Sequence, residues 1–456
     1  MQNHSLALAN ESIKTLLWKL SLTAMAGMFV MTLYNVVDMI FVGRGVGALA
    51  IAGVSIVFPV QMFTMAIGQM IGIGTSSLIS RSLGAGDVKR AERALGNAIF
   101  LILVLGGTLT VVGLAKSTFF LHLFGATDDV FPYAKQYMDV ILLSVVLHEF
   151  SMSSNGIIRA EGNARVAMVS MFIGALLNIA LDPIFIFVLG MGVRGAAIAT
   201  VIAQATTTIY ILRYFFSGKS SLRIRVKNFI LEWAVVRQIV AIGFAAFIRT
   251  AAASFIAVII NRMLGSYGGG ISIAVFGVIH RVLMFAGMPC RSIAQGLQPI
   301  LGFSYGARRY DRGIEVIRRS AIIATSFSVA TFLVLFFFPG PIMRIFSTDA
   351  TLVYQGTNAM KLVFLAFWLV GFHIVGSTIF QAIGKPVQTF ILATSRQILF
   401  LIPLIFILPR FFGINGIWLS FPIADTLSLV VTIVMVIPQM REFQRQKVLI
   451  EGGETQ

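Results

Sequence analysis

About twelve apolar stretches run along this 456-residue chain, each long enough for the roughly 20 residues that cross membrane hydrocarbon. That constrains the fold more than any other feature. Inside hydrocarbon every backbone N–H and C=O needs an internal partner, which leaves only helices or a closed barrel. Barrel strands would alternate apolar and polar residues over about ten positions. These runs are instead continuously apolar, with approximate cores at 16–42, 49–76, 95–115, 134–158, 166–189, 196–216, 235–262, 271–300, 319–338, 358–380, 387–409 and 416–437. With 57% hydrophobic and 12% charged residues, the chain is predicted to be an all-α membrane protein of twelve transmembrane helices.

Lys and Arg set the predicted orientation. About two-thirds of the 35 fall in the tails and in every second loop, which puts both termini in the cytoplasm of a multi-pass protein of the cytoplasmic (inner) membrane. The net charge of +17 is then mostly this bias, with anionic membrane lipids as its partner. It is scattered through loops, which argues against nucleic acid. The single Cys290 excludes an internal disulfide and any Cys-based metal site. Met1–Thr15 lacks the apolar core and small-residue cleavage site of a signal peptide, so the first spanning helix is expected to be an uncleaved insertion signal. Gly72-Ile73-Gly74 lies in an apolar run with no following Lys, and no phosphate-binding loop occurs elsewhere. Neither ATP nor an organic cofactor is expected, and no enzyme activity.

The second half repeats the first at an offset of about 222 residues. Gly84-Ala85 and Gly306-Ala307 each open a basic segment. Phe124 pairs with Phe346, Ala160 and Gly162 with Ala382 and Gly384, and Gly192 and Gly195 with Gly413 and Gly416. Six helices per half is an even number, so the copies enter the membrane in the same orientation, as parallel repeats do. The expected organisation is an N-lobe over 1–217, a charged cytoplasmic linker over 218–234 joining two rocking lobes, a C-lobe over 235–440, and a polar, frayed cytoplasmic tail over 441–456. A monomer is expected.

Three acids lie within first-half stretches: Asp38, Glu149 and Asp182. A charge at the bilayer centre costs about 2.5–3.5 kcal/mol on insertion scales, so each needs a partner or a watery cavity. Asn178 precedes Asp182 by one helical turn on the same face. Pro183 follows and frees the carbonyl four residues back. Thr200 adds a hydroxyl if the fifth and sixth helices pack as an antiparallel hairpin. Such oxygens suit a hard cation or a proton. Asp38, within Tyr34-Asn35-Val36-Val37-Asp38, is the candidate second acid. The repeat sharpens the choice: Asp182 falls opposite Leu404 or Pro403, Asn178 near Phe400, Thr200 near Phe421 and Asp38 near Ala257, so no acid recurs. Acids needed only to fold a six-helix unit would be expected in both copies. H+ or Na+ at Asp38, Asn178, Asp182 and Thr200 is therefore the expected coupling chemistry. Tyr34, Asn35, His148, Glu149 and Arg281 are candidates for a proton relay or substrate contact. His148-Glu149 also has a structural reading, and Arg396 with Asp425 reads as a structural pair.

Several motifs together resemble those of the multidrug and toxic compound extrusion (MATE) family, in its prokaryotic branch. They are Tyr34–Asp38 with Phe41-Val42-Gly43, Ile79–Asp87, Arg159-Ala160-Glu161-Gly162-Asn163, Asn178–Pro183, Gly192–Ala197, and Gln295-Gly296-Leu297-Gln298-Pro299. The resemblance implies two six-helix bundles forming a V-shaped cavity, and an antiporter exporting lipophilic, often cationic compounds against H+ or Na+. It carries the family's N-lobe cation site onto Asp38, Asn178, Asp182 and Thr200. The acid that another branch places in the seventh helix is missing, with Arg249 and Asn261 the polar residues there. One alternative is a lipid-linked oligosaccharide flippase, which would use Arg249, Arg281, Arg291 and Arg396 to bind pyrophosphate. Another is a membrane receptor without transport.

Overall fold

The computed structural model describes residues 3–452, which form helices and turns with no strand among them. Six long helices come first: α1 (Ile13–Gly45), α2 (Ala48–Gly84), α3 (Val88–Ala115), α4 (Phe131–Ala160), α5 (Ala164–Val188) and α6 (Gly192–Phe216). The next apolar segment, Trp233–Gly306, has 74 residues and is interrupted at Gly269 (φ 68°, ψ −167°). That break separates α7 (233–268) from α8 (270–306). Then follow α9 (Tyr310–Phe337), α10 (Ala350–Ile383), α11 (Pro386–Phe412) and α12 (Ile414–Glu451). Eleven segments are long and apolar enough to span a membrane, and the break at Gly269 makes them twelve helices. This is a multi-pass membrane protein.

The duplication is written into the backbone. Positive φ occurs at Gly47 and Gly269, at Gly86 and Arg308, at Gly162 and Gly384, and at Gly192 and Gly413, each pair about 222 residues apart. Arg308 is the one non-glycine residue with positive φ among those described, and it stands where the first copy has Gly86.

Packing divides the chain into two compact units. One holds residues 3–10 together with Leu22–Thr250. The other holds Glu11–Ser21 and the described residues from Ala251 onward. Each unit thus takes in the start of a helix from the opposite half of the sequence. In the first, α2 and α7 cross backbone to backbone: a side chain on Gly74 would strike the Ile239 carbonyl, and one on Gly243 the Met70 carbonyl. The second repeats this crossing between α8 and α1, where a side chain on Gly296 would meet Ser21 and the Leu17 carbonyl. Residues 74, 239 and 243 of one crossing are residues 296, 17 and 21 of the other, displaced by 222. Small residues also bring α2 onto α4, where the Ser153 hydroxyl donates to the Gly68 carbonyl at 2.9 Å.

The connection between the halves is closely packed, and the tail differs from expectation. The connection between α6 and α7 is docked onto the first unit. At its start the buried Glu161 carboxylate accepts from the Tyr214 hydroxyl (2.7 Å), the Ser220 hydroxyl (2.8 Å) and the Ser221 N–H (2.8 Å). At its end the Asn97 side chain accepts from Glu232 N–H (2.9 Å) and donates to the Ile230 carbonyl (3.4 Å). The expected frayed tail, 441–456, is helical through Glu451, and residues 453–456 lie outside the described residues. Phe443 explains the difference. It is buried, with its ring 5.9 Å from Tyr305 and 5.5 Å from Tyr310, which fastens the last turns of α12 to the second unit.

Candidate functional site

Five helices of the first unit build one polar cluster. α5 begins at an Asn163 cap whose side-chain oxygen accepts from Val166 N–H, and it runs apolar until Asn178. One turn later comes Asp182, fully buried, with the Asn178 amide donating to its Oδ1 at 3.4 Å. The same amide donates to Thr200 Oγ1 of α6 at 3.2 Å, and that hydroxyl in turn donates to the Ala196 carbonyl. After Pro183 the helix widens into a π turn, Ile184–Val188. Such turns break the regular ladder and concentrate at functional positions.

α1 supplies the second carboxylate. Asp38 and Asp182 stand within hydrogen-bonding reach of each other. Neither has a salt-bridge partner among the described residues. Asp38 Oδ1, Asp182 Oδ2 and Asn178 Oδ1 are all buried and without hydrogen-bond donors among the described residues. Two negative charges at this range in a low-dielectric interior repel strongly, and buried acceptors left without donors are costly. One positive charge relieves both. A proton between the carboxylates, or a hard cation bound by the carboxylate, amide and hydroxyl oxygens, fits this donor set. No group of three or more His, Cys, Asp or Glu with metal-site geometry occurs among the described residues.

The structure therefore brings together the four residues expected to hold the ion. It adds two that sequence reasoning missed. Tyr137 of α4 is buried, and its phenol lies close enough to Asp38, Asp182 and Tyr34 to interact with them electrostatically. Gln61 of α2 donates to that phenol at 3.1 Å. Nothing in the spacing of Gln61 or Tyr137 ties either to Asp182; only the packing of α2 and α4 does. Tyr34 also faces the two acids. Asn35 is exposed, and its amide donates to the Met31 carbonyl of its own helix at 2.7 Å.

His148 and Glu149 diverge. His148 Nδ1 pairs with Gln204 of α6 at 3.1 Å. Glu149 is fully buried toward Gly106 of α3, and neither carboxylate oxygen has a hydrogen-bond partner. No hydrogen bond among the described residues joins either to Asp38 or Asp182. Arg159, a partner considered for Glu149, donates instead to Asn155 Oδ1 at 2.9 Å. Of the arginines a pyrophosphate site would use, Arg396 is paired with Asp425. Arg291 donates to the carbonyls of Met284 and Gly287. Arg281 is exposed on α8 without an ion pair among the described residues, and Arg249 lies on α7.

The family model MatE matches residues 24–184 and matches again over 245–407. The chain belongs to the MATE family. Its two matched segments coincide with the two copies of the repeat, and the first ends just beyond Asp182-Pro183. Among relatives, the multidrug export protein MepA of Staphylococcus haemolyticus is 28% identical over 425 residues, 91% of each chain. The solved MATE multidrug transporter DinF-BH is 43% identical, with a TM-score of 0.87 over 96% of this chain and 98% of that one. A crystal structure of MATE in the bent conformation has a TM-score of 0.92 at 27% identity, covering 98% and 99% of the two chains. The fold is that of the MATE transporters, twelve transmembrane helices in two lobes.

Proposed function

We propose that this MATE protein is a secondary antiporter that exports small lipophilic or cationic compounds in exchange for H+ or Na+. The observation that carries the reading is the pair of acids, Asp38 and Asp182, within hydrogen-bonding reach, with no basic partner among the described residues and with three orphaned oxygens, one on each acid and one on Asn178. Its relatives, a multidrug export protein and a MATE multidrug transporter, suggest the substrate class. Its place is the cytoplasmic membrane, with both termini in the cytoplasm, lipids around it and a single copy as the working unit. No covalent bond of the exported compound is made or broken.

Loading the pair with H+ or Na+ removes the repulsion between the carboxylates. It draws the Asp38 face of α1 onto α5 and α6. Unloading reverses this, and the freed negative charge favours a cationic compound. Ion and substrate thus disfavour each other's binding, and the coupling free energy is reciprocal. Exchange follows when access alternates between the two sides of the membrane.

The test is efflux of a fluorescent lipophilic cation from proteoliposomes under separately imposed H+ and Na+ gradients. Asp182→Asn keeps the size of the side chain and removes its charge. Gradient-driven flux is expected to fall at least tenfold in the variant, and the gradient that drives the wild type names the ion. Flux unaffected by the substitution would remove the acids from coupling.

A further inference from the structure

The second unit has its own intramembrane charges, and they are arranged differently. Arg396 of α11 is paired with Asp425 of α12, with Nε donating to Oδ1 and Nη2 to Oδ2, the latter at 3.5 Å. The Asp425 side chain is 2% accessible and the Arg396 side chain 28%. Arg396 sits on a π segment, Ser395–Leu401. Among the described residues only two π segments occur, and the other follows Asp182-Pro183. Both irregular turns therefore fall beside intramembrane charge. A π turn re-aims side chains at the expense of the regular ladder, and such turns concentrate where a side chain has work to do.

A guanidinium carries five N–H donors in one plane. Asp425 accepts from Nε and Nη2, and its bidentate grip fixes that plane. Nη1 has no protein partner among the described residues, and the side chain keeps over a quarter of its surface open. An arginine needed only to neutralise Asp425 gains nothing from an open edge in a membrane interior, where unpaired donors are costly. The fork matches a carboxylate, which is the usual partner for such an edge. Charge then selects among carboxylates. The Arg396–Asp425 pair is neutral, so a simple anion would leave a net negative charge in a poorly screened interior. A zwitterion brings its own cation and adds none.

We infer that the open edge of Arg396, oriented by Asp425, docks the carboxylate of amphiphilic zwitterionic substrates. This rests on the drug-export reading and gives one charged group of its substrates a partner in the protein. Arg396 is a specificity residue in the second unit, separate from the ion-coupling acids of the first.

The probes are a xanthene dye bearing a free carboxylate and its methyl ester, which is purely cationic. Their binding to the detergent-purified protein is followed by fluorescence anisotropy, which needs no gradient. In Arg396→Gln the acid dye is expected to bind about tenfold more weakly, while the ester changes less than twofold. Arg396→Lys keeps a cation for Asp425 but loses the fork, and should weaken the acid dye severalfold with the ester unchanged. An equal loss of both dyes in both arginine variants would make the pair purely structural and overturn the inference. So would acid binding that is indifferent to Arg396, or a wild type that binds only the ester. Failure of the coupling reading would show separately, as dye binding without gradient-driven efflux.

Discussion

Removing one hydroxyl tests how far the proposed ion site extends beyond the residues that spacing could reveal. Tyr137→Phe deletes the phenol oxygen near Asp38 and Asp182 and leaves Gln61 without its acceptor. Losing the phenol dipole beside two buried carboxylates should shift the concentration of driving ion at half-maximal flux by about threefold, with transport retained. An unshifted concentration dependence would exclude Tyr137 from the site. The grouping of Asn178, Asp182 and Thr200 could be read in the sequence for definite reasons. Asn178 and Asp182 are one turn apart, Thr200 lies across a short hairpin, and none of these side chains recurs in the second copy. Tyr137 was not legible, because nothing local marks a tyrosine whose importance comes from the packing of α4. The same limit applied to His148 and Glu149. They are adjacent in sequence, and helical geometry turns them toward different neighbours.

At the scale of helices, the crossing of α2 and α7 rests on having no side chain at its centre. Gly243→Val would drive a branched side chain into the Met70 carbonyl, and the carbonyl belongs to a helix backbone that cannot swing aside. Overpacking of this kind costs about 1–3 kcal/mol, more where backbone is the obstacle. The expected result is a clearly lower melting temperature of the purified protein. Gly107→Ala is the control, since a Cβ there meets nothing within 4 Å. Equal melting of both variants would mean that the crossing bears little load. The twelve helices could be read from hydropathy alone, because every stretch had to satisfy its own backbone. Their partnership could not. The repeat made it certain that a contact of residue 74 should recur at 296, yet nothing in composition tells that the partner of α2 is α7 and that of α8 is α1.

The connection between halves shows the same thing for the whole molecule. Its charged, Ser- and Gly-containing sequence reads as a tether, but Glu161 and Asn97 hold its two ends against the first unit. Each looks like an ordinary loop or helix-end polar residue until its partners are known. Glu161 lies in the turn between α4 and α5, outside the spans, and burial pushes its carboxyl up from the ordinary 4.5 to about 7, against the pull of its hydrogen-bond donors. Release of the connection would return that carboxyl to water and to its ordinary value. The docked form therefore binds the proton more tightly than the released form does. By linkage, docking is most favourable below about pH 4.5 and loses stability as pH rises toward and through about 7. Thermal unfolding of the wild type between pH 5 and 8 should accordingly show a melting temperature that falls with rising pH. Glu161→Gln cannot titrate and should lose that component of the slope. It also gives up at least one of the three bonds, because an amide nitrogen cannot accept them, so its melting temperature should sit lower at acid pH. A wild-type slope retained in full by the variant would assign the pH dependence to other groups and leave Glu161 a purely geometric anchor.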